Sequence, residues 1–218
     1  MRLPIHREGW PFITAAVAAN GFVFALWGWP GWALVPITAW IVAFFRDPER
    51  VAPPGDNLIL SPADGRLLTV AQAAPPAELG LGSQARTRLS IFMNVFNVHV
   101  NRAPATGTVT ALAYRPGKFF NASFDKASEA NERQSIGIGL DGPGRAGQDL
   151  IVVQIAGLIA RRIKCDLREG DSVCRGDRFG IIRFGSRVDV YLPDGARVVA
   201  RPGQTTRAGE TALAELPA

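Results

Sequence analysis

The chain divides into two parts by the distribution of its apolar and charged positions. From Pro11 to Phe45 there is no charged residue, and 26 of these 35 positions are apolar. The other 183 residues carry all 43 charged side chains. This pattern predicts an apolar, helical, membrane-associated segment with its linker over residues 1–50, followed by a separate domain over residues 51–218.

The apolar segment is interrupted at Gly28-Trp29-Pro30-Gly31, which leaves Phe12–Trp27 and Trp32–Phe45. Each half is shorter than the roughly 20 residues that a spanning helix needs. The segment is therefore compatible with a tight helical hairpin, with one long kinked span, or with a re-entrant or interfacial segment. Basic residues at both ends and none between favour a hairpin with both ends in the cytoplasm. A cleaved signal peptide is disfavoured because a second apolar block follows without a polar cleavage region.

Beyond Gly55 the apolar positions alternate with polar ones or form short runs bounded by Gly, Pro and Asp, which is typical of β-strands. The strands predicted in this way are Arg66–Ala71, Thr87–Met93, Thr108–Tyr114, Ser135–Leu140, Leu150–Ala156, Gly180–Phe184, Val188–Leu192 and Arg197–Ala200. Helical periodicity is scarce, and Ala122–Arg133 is compatible with either a loop or a short helix. The second part is therefore predicted to be mainly β, forming one barrel or sandwich.

Two Gly-Asp pairs, Gly170-Asp171 and Gly176-Asp177, lie six residues apart with an apolar residue between them. This arrangement resembles the hairpins of lipoyl and biotinyl barrel-sandwich domains. Two tight β-turns would have the same sequence, because Gly supplies a positive φ and Asp accepts a hydrogen bond from its own backbone. Both interpretations predict the same local structure.

The composition excludes several classes of protein. A hydrophobic content of 47% excludes intrinsic disorder, and two cysteines exclude a disulfide scaffold. Cys165 and Cys174 have no CxxC spacing and no histidine pair beside them, so no metal site is predicted. The net charge of +5 suits an anionic membrane surface. Nucleic-acid binding has no supporting module.

Only two histidines are available for proton transfer near neutral pH. His6 precedes the apolar segment and is interpreted as an interfacial residue. His99 lies in the β-rich part, within Phe96-Asn97-Val98-His99-Val100-Asn101-Arg102. A lone histidine beside an apolar strand is more often structural than catalytic, so its surroundings alone leave both roles open.

Gly185-Ser186 separates two β-type runs and, taken alone, is typical of a hairpin turn. Asp64, in Ser61-Pro62-Ala63-Asp64-Gly65, is likewise typical of a turn. However, a serine hydroxyl can attack the carbonyl of the preceding residue when the peptide is strained, and glycine at that residue permits unusual backbone angles. Asp125-Lys126-Ala127 resembles the turn that carries the modified lysine of lipoyl domains.

Taken together, these segments resemble the phosphatidylserine decarboxylase family, specifically its short bacterial form. The motifs that carry the resemblance are Phe44-Phe45-Arg46-Asp47-Pro48, Ser61–Gly65, Phe96–Arg102, Gly117–Ala122, Asp125–Ser128, Asn131–Arg133, Gln154–Gly157, Ala160–Ile163 and Phe184–Ser186. Each motif is short, but their order and spacing make the signal specific over about residues 44 to 200.

The resemblance implies that the chain cuts itself between Gly185 and Ser186. The Ser186 hydroxyl would attack the Gly185 carbonyl to give an ester, and elimination would leave a pyruvoyl group at position 186. The products would be a large chain, 1–185, and a small chain, 186–218. The pyruvoyl group would replace any metal or diffusible cofactor, forming a Schiff base with the amine of phosphatidylserine and acting as electron sink for its decarboxylation to phosphatidylethanolamine.

The resemblance also implies that Asp64 and His99 activate Ser186, in the logic of a catalytic triad. The sequence departs from the longer forms at two positions. Those forms have a second histidine three residues after the first, where this chain has Arg102. They also have a small hydroxyl residue after the serine, where this chain has Arg187.

Three basic residues, Lys118, Arg161 and Arg162, are expected to contact the lipid phosphate; solvated surface is the alternative. The expected location is the inner membrane, with the catalytic domain on the cytoplasmic face. An alternative function is a membrane-anchored lipoyl-like carrier or adaptor without self-processing. The sequence leaves open whether the chain forms a homo-oligomer.

Overall fold

The computed structural model describes residues 4–120, 131–145, 147–157, 162–183 and 185–217. The chain separates into two compact units, Met1–Glu49 with Phe96–Val98, and Arg50–Val95 with His99–Ala218. The expected loop or helix over Ala122–Arg133 lies outside the described residues except for its last three positions. The tripeptide Asp125-Lys126-Ala127 lies wholly outside the described residues.

The first unit is a helical hairpin. Helix α1 spans Trp10–Trp27, a 3₁₀ helix spans Trp29–Leu34, and α2 spans Val35–Phe44. Helix α1 ends at Gly28, whose φ of +69° is readily adopted only by glycine. Between the helices, the Asn20 side chain donates a hydrogen bond to Thr38 Oγ1 at 3.4 Å.

The two ends of this hairpin lie side by side. The His6 amide donates to the carbonyl of Phe45 at 2.9 Å, and the Asp47 amide donates to the carbonyl of Pro4 at 2.7 Å. These backbone hydrogen bonds close the base of the hairpin. The chain therefore enters and leaves the apolar segment at the same end.

The helical stretch Arg7–Trp27 is 21 residues long and, by length and composition, is apolar enough to cross a membrane. Large apolar side chains are exposed over both helices and the connection between them: Trp10, Val17, Phe22, Leu26, Trp27, Trp29, Trp32, Val35 and Ile37. Exposed apolar surface of this kind marks membrane or protein interaction sites. These properties suggest membrane association of the segment.

The second unit contains fourteen strands among its described residues. They are β1 (Leu58–Leu60), β2 (Gly65–Ala73), β3 (Arg86–Met93), β4 (Val100–Arg102), β5 (Gly107–Arg115), β6 (Arg133–Leu140), β7 (Asp149–Ala156), β8 (Ile163–Cys165), β9 (Ser172–Val173), β10 (Arg178–Ile182), β11 (Ser186–Tyr191), β12 (Arg197–Val198), β13 (Thr205–Thr206) and β14 (Ala212–Glu215). They form one antiparallel sheet of order β13-β2-β3-β11-β7-β6-β5-β9 and two smaller sheets, β4-β10-β8 and β1-β14-β12.

The predicted fold class, mainly β with an N-terminal apolar helix, is confirmed. Each of the eight predicted strands overlaps a strand of the structure. The six strands that the pattern missed have two to four residues each. Segments this short do not establish an alternation of apolar and polar positions, so they are recognised only by their pairing partners.

Strand β11 lies at the centre of the large sheet, and all six of its residues are buried. On one face, Val188 and Val190 join the main apolar core, to which all three sheets contribute. On the other face, Tyr191 packs with a smaller cluster that includes Ile151 and Leu79. The sheet is therefore covered on both sides at this strand, which positions its first residue in the interior.

The paired Gly-Asp motifs are tight turns, as predicted. Gly170 and Gly176 have φ values of +88° and +91°. In both motifs the aspartate that follows accepts, at 2.8 Å, a hydrogen bond from the amide three residues before it.

The interpretation of Gly185-Ser186 as a hairpin turn is wrong. Strand β10 pairs with β4 and β8, whereas β11 pairs with β3 and β7. Since both edges of β11 are occupied by these neighbours, β10 and β11 belong to different sheets. The chain crosses from one sheet to another at Gly185-Ser186.

Candidate active site

The Gly185-Ser186 peptide combines an unusual backbone conformation with a buried hydroxyl. Gly185 has φ +70°, in the left-handed region that disfavours residues with a side chain. Ser186 begins β11 opposite Met93 on one side and Ala156 on the other. Its side chain is fully buried, and its Oγ has no hydrogen-bond partner among the described residues. A buried hydroxyl without a partner is rare and calls for an explanation.

His99 is brought to this peptide by the pairing of β4 with β10. It directly precedes β4, whose Val100 lies opposite Ile181, and its carbonyl accepts from the Ile182 amide at 3.3 Å. The histidine therefore lies where β10 ends and the chain continues to Gly185. The Gly185 amide donates to His99 Nε2 at 3.3 Å, and the histidine is fully buried.

Asp64 has different partners from those that the resemblance implies. Its Oδ1 accepts from the Ala208 amide at 2.7 Å, and its Oδ2 accepts from Arg50 at 2.9 Å. Arg50 also contacts Glu210 at 3.2 Å. Within the described residues these hydrogen bonds engage both carboxylate oxygens, and neither of them is with His99. The Asp64–His99 link of the expected triad stays a prediction.

Gly65 explains part of the motif around Asp64. A Cβ atom at this residue would lie 2.2 Å from the carbonyl oxygen of Phe92, closer than any side chain could be accommodated. Glycine is required here because the start of β2 approaches β3 closely. The Pro-x-Asp-Gly sequence therefore has a packing role whatever the function of Asp64.

A pair of buried amide side chains lies on the Ser186 face of the large sheet. Gln154 Nε2 donates to Asn101 Oδ1 at 2.8 Å, and Asn101 Nδ2 approaches the Pro62 carbonyl at 3.4 Å and Met93 Sδ at 3.9 Å. Gln154 Oε1 is buried without a partner in the described part of the chain. Both residues lie in motifs that carry the family resemblance, but no role was predicted for either; a further signal was the one polar residue inside the apolar run Leu150–Ala156.

The opposite face of the same sheet carries a buried ion pair. Arg187 is 1% exposed; its Nε donates to Asp189 Oδ1 at 2.6 Å and its Nη2 donates to Ser90 Oγ at 2.6 Å. Burial raises the pKa of the neighbouring Tyr191 phenol, and the negative charge of Asp189 adds to this effect. Arg187, which departs from the longer family members, thus has its charge neutralised away from the Ser186 face.

Two of the three predicted phosphate-binding residues are linked by main-chain hydrogen bonds to segments that approach Ser186 or precede it in the chain, and Arg161 lies outside the described residues. The Lys118 carbonyl accepts from the Glu132 amide at 3.1 Å, and Asn131 Nδ2 donates to the carbonyl of Ala156, the neighbour of Ser186, at 2.7 Å. The Arg162 carbonyl accepts from the Arg183 amide at 3.4 Å. The side chains of Lys118 and Arg162 are both exposed.

The described residues contain no group of three or more His, Cys, Asp or Glu side chains arranged to hold a metal ion. Cys165 and Cys174 are free thiols. Burial raises the pKa of the Cys165 thiol, which favours its neutral form over the thiolate that binds metals.

Comparison with known proteins places the chain among enzymes of phospholipid metabolism. The model of the phosphatidylserine decarboxylase family matches residues 37–214. The chain is 53% identical to the phosphatidylserine decarboxylase proenzyme of Paramagnetospirillum magneticum, over 98% of this chain and 87% of that protein. The proenzymes of Ruegeria pomeroyi and Cereibacter sphaeroides are 54% and 53% identical over 98% of this chain, and over 95% and 90% of their own lengths.

The fold, the site and these matches define an enzyme of the carboxy-lyase class. The chain belongs to the phosphatidylserine decarboxylase family.

Proposed function

We propose that the protein converts phosphatidylserine to phosphatidylethanolamine after cutting itself between Gly185 and Ser186. The observation that carries this proposal is the hydrogen bond to His99 Nε2 from the amide of Gly185, the residue before Ser186, whose buried hydroxyl has no partner among the described residues. The names of the relatives, which are proenzymes, support a processing step.

Self-cleavage would proceed in three balanced steps. First, His99 takes the proton of the Ser186 hydroxyl and passes it to the nitrogen of residue 186, while Oγ bonds to the Gly185 carbonyl carbon and the peptide C–N bond breaks, which leaves an ester and a free amine. Next, loss of the Cα proton expels the Gly185 carboxylate and leaves dehydroalanine at 186. Finally, water adds and ammonia leaves, which converts residue 186 into a pyruvoyl group.

Residue 186 is well suited to hold such a group. It would remain the first residue of β11, between Met93 of β3 and Ala156 of β7, and full burial would protect a ketone there from water. The pyruvoyl ketone supplies an electrophile for the substrate amine and an electron sink for the departing CO₂. Asp64 completes the proposed triad, with Arg50 as its counter-ion.

The two chains produced by the cut would stay together. The small chain, 186–218, contains β11 to β14, and these strands pair with β1, β2, β3 and β7 of the large chain. The pairing of β11 with β3 and β7 forms the middle of the large sheet. Separation of the chains would therefore expose much of the apolar core.

Lys118, Arg161 and Arg162 are proposed to bind the phosphate of the lipid, and the net charge of +5 suits an anionic surface. The proposed location is the inner membrane, with the second unit on the cytoplasmic face. Support comes from the apolar helix and from the basic residues at both ends of the hairpin, Arg2 and Arg7 before it and Arg46 and Arg50 after it.

The processing step is tested by denaturing electrophoresis and intact mass. Wild-type protein should give a large and a small chain, the small one beginning with a keto group. Ser186→Ala should remain one chain of 23.4 kDa. Ser135→Ala, which removes another buried serine hydroxyl in the same sheet, should still be cut. A single uncut chain in the wild type would overturn the proposal and favour a carrier or adaptor.

A further inference from the structure

The amide pair Gln154–Asn101 determines which atom of Gln154 is left unpaired. A backbone carbonyl only accepts hydrogen bonds, so Asn101 presents Nδ2 to Pro62 and Oδ1 to Gln154. Gln154 must then present Nε2 to Asn101. Its Oε1 therefore points away from Asn101 as an acceptor, buried and without a partner among the described residues.

This acceptor lies on the same face of the sheet as residue 186. Ser186 is opposite Ala156, and Gln154 is opposite Val188, so the two residues are diagonal neighbours on adjacent antiparallel strands. Asn101, which orients Gln154, also contacts Met93, the partner of Ser186 on the other side. A molecule that reacts with residue 186 on this face of the sheet would lie within reach of the Gln154 side chain.

We propose that Gln154 Oε1 accepts a hydrogen bond from the amine of the substrate head group. The inference rests on the proposed function. Processing removes the Ser186 hydroxyl, and the ketone that replaces it is an acceptor only, so residue 186 of the processed chain offers no donor to Gln154. A serine head group brings an ammonium N–H to this position. A positively charged N–H donor forms a stronger hydrogen bond to a buried amide oxygen than a neutral donor does.

Gln154 would then favour lipids with an N–H donor over lipids with a quaternary amine. Phosphatidylcholine has the same phosphate but no N–H, so it cannot satisfy the buried oxygen. A buried acceptor left unpaired weakens binding. Gln154→Met, which keeps the length of the side chain but removes both the acceptor and the donor, should raise the half-saturating concentration of phosphatidylserine by about tenfold or more.

The experiment uses reductive trapping on the processed protein. Soluble dihexanoyl phosphatidylserine is added with cyanoborohydride, and mass spectrometry measures the lipid bound to the small chain. Dihexanoyl phosphatidylcholine serves as a competitor without N–H. The keto content of the denatured small chain, titrated with phenylhydrazine, shows that the variants carry equal amounts of the reactive group.

Gln154→Met should be cut normally, need about tenfold more phosphatidylserine for half-maximal trapping, and show an unchanged inhibition constant for phosphatidylcholine. The matched control is Gln148→Met, which removes another buried glutamine oxygen that has no partner in the described part of the chain and lies outside this site. It should behave as the wild type. Unchanged trapping in Gln154→Met, or an equal loss for both lipids, would overturn the proposal.

Two further outcomes distinguish a role of Gln154 in binding the amine from a role in processing or in folding. If Gln154→Met stays uncut while Gln148→Met is cut, Gln154 serves Ser186 in the precursor and the proposal is wrong. If Gln154→Met does not fold, Gln154→Glu decides the matter. A protonated glutamate can donate to Asn101 with one oxygen and accept from the amine with the other. The phosphatidylserine concentration for half-maximal trapping should therefore match that of the wild type, and a tenfold rise would overturn the proposal. Uncut wild-type protein would instead refute the proposed function.

Discussion

The amide of Gly185 donates a hydrogen bond to Nε2 of His99 across 3.3 Å. As the acceptor of this bond, His99 Nε2 presents a lone pair at the peptide that would be cut, which is the arrangement that a general base needs. Gly185 directly precedes Ser186, whose hydroxyl is the group that has to lose a proton in the proposed cleavage. We expect His99→Ala to accumulate uncut chain.

The histidine experiment needs a variant that keeps the hydrogen bond but removes the base. His99→Gln can accept from the Gly185 amide through its side-chain oxygen, yet it cannot take up a proton near neutral pH. It should fold better than His99→Ala and remain uncut. Time courses of cutting on denaturing gels measure both variants, and wild-type cutting in either one would remove His99 from the processing step.

The left-handed conformation of Gly185 leads to a second prediction. Gly185→Ala should lower the free energy of unfolding by about 1–2 kcal/mol, because a Cβ atom is disfavoured at φ +70°. Crowding adds little, since the nearest atom to an added Cβ is Val95 Cγ1 at 4.0 Å. Urea unfolding is measured in the uncut Ser186→Ala background. Gly185→Asn should lose less, because Asn tolerates this region better; equal losses would contradict the backbone explanation.

Asp64 can be tested separately from its ion pair with Arg50. Asp64→Asn should leave the precursor uncut if the carboxylate supports His99. Arg50→Met removes the ion pair but keeps the carboxylate; it should lower the free energy of unfolding by about 3 kcal/mol and still be cut. Gel analysis and urea unfolding are compared for both variants. Equal loss of cutting in the two would show that Asp64 acts through its contact with Arg50.

The buried pair of Arg187 and Asp189 predicts non-additive effects on stability. Arg187→Met should cost about 3–5 kcal/mol, because it leaves the Asp189 carboxylate buried without its closest partner. The double variant Arg187→Met with Asp189→Leu should be more stable than that single variant, since it leaves no buried carboxylate without its closest partner; the partly exposed Arg88 loses only a contact at 4.0 Å. Denaturant unfolding in the Ser186→Ala background measures both. A double variant as unstable as the single one would argue against a dominant electrostatic cost.

Cutting should survive this double variant when Ser186 is present. Arg187 points away from the Ser186 face, because neighbouring residues of a strand alternate between the two faces. The departure from the small hydroxyl residue of longer family members then concerns stability of the sheet. If the double variant folds but remains uncut, Arg187 takes part in processing.

Local sequence predicted the helical segment, most of the longer strands and the family of this protein. The absence of charge over Pro11–Phe45 predicted the apolar helical segment, and alternation predicted eight strands, because burial on one face repeats with a fixed period. The sequence has only two histidines, and His99 is the one in the β-rich part, so it was the candidate for proton transfer. The order of short motifs identified the family before any contact was known.

Tertiary structure decided the relationships between residues distant in the chain. Gly185-Ser186 has the local sequence of a hairpin turn, yet its flanking strands pair with β4 and β8, and with β3 and β7. Asp64 accepts a hydrogen bond from a residue 144 positions away, and Gln154 donates to one 53 positions away. Local sequence determined which segments are buried strands and helices, because that depends on periodicity; only long-range pairing could determine which polar atoms meet, because each hydrogen bond needs both partners in place.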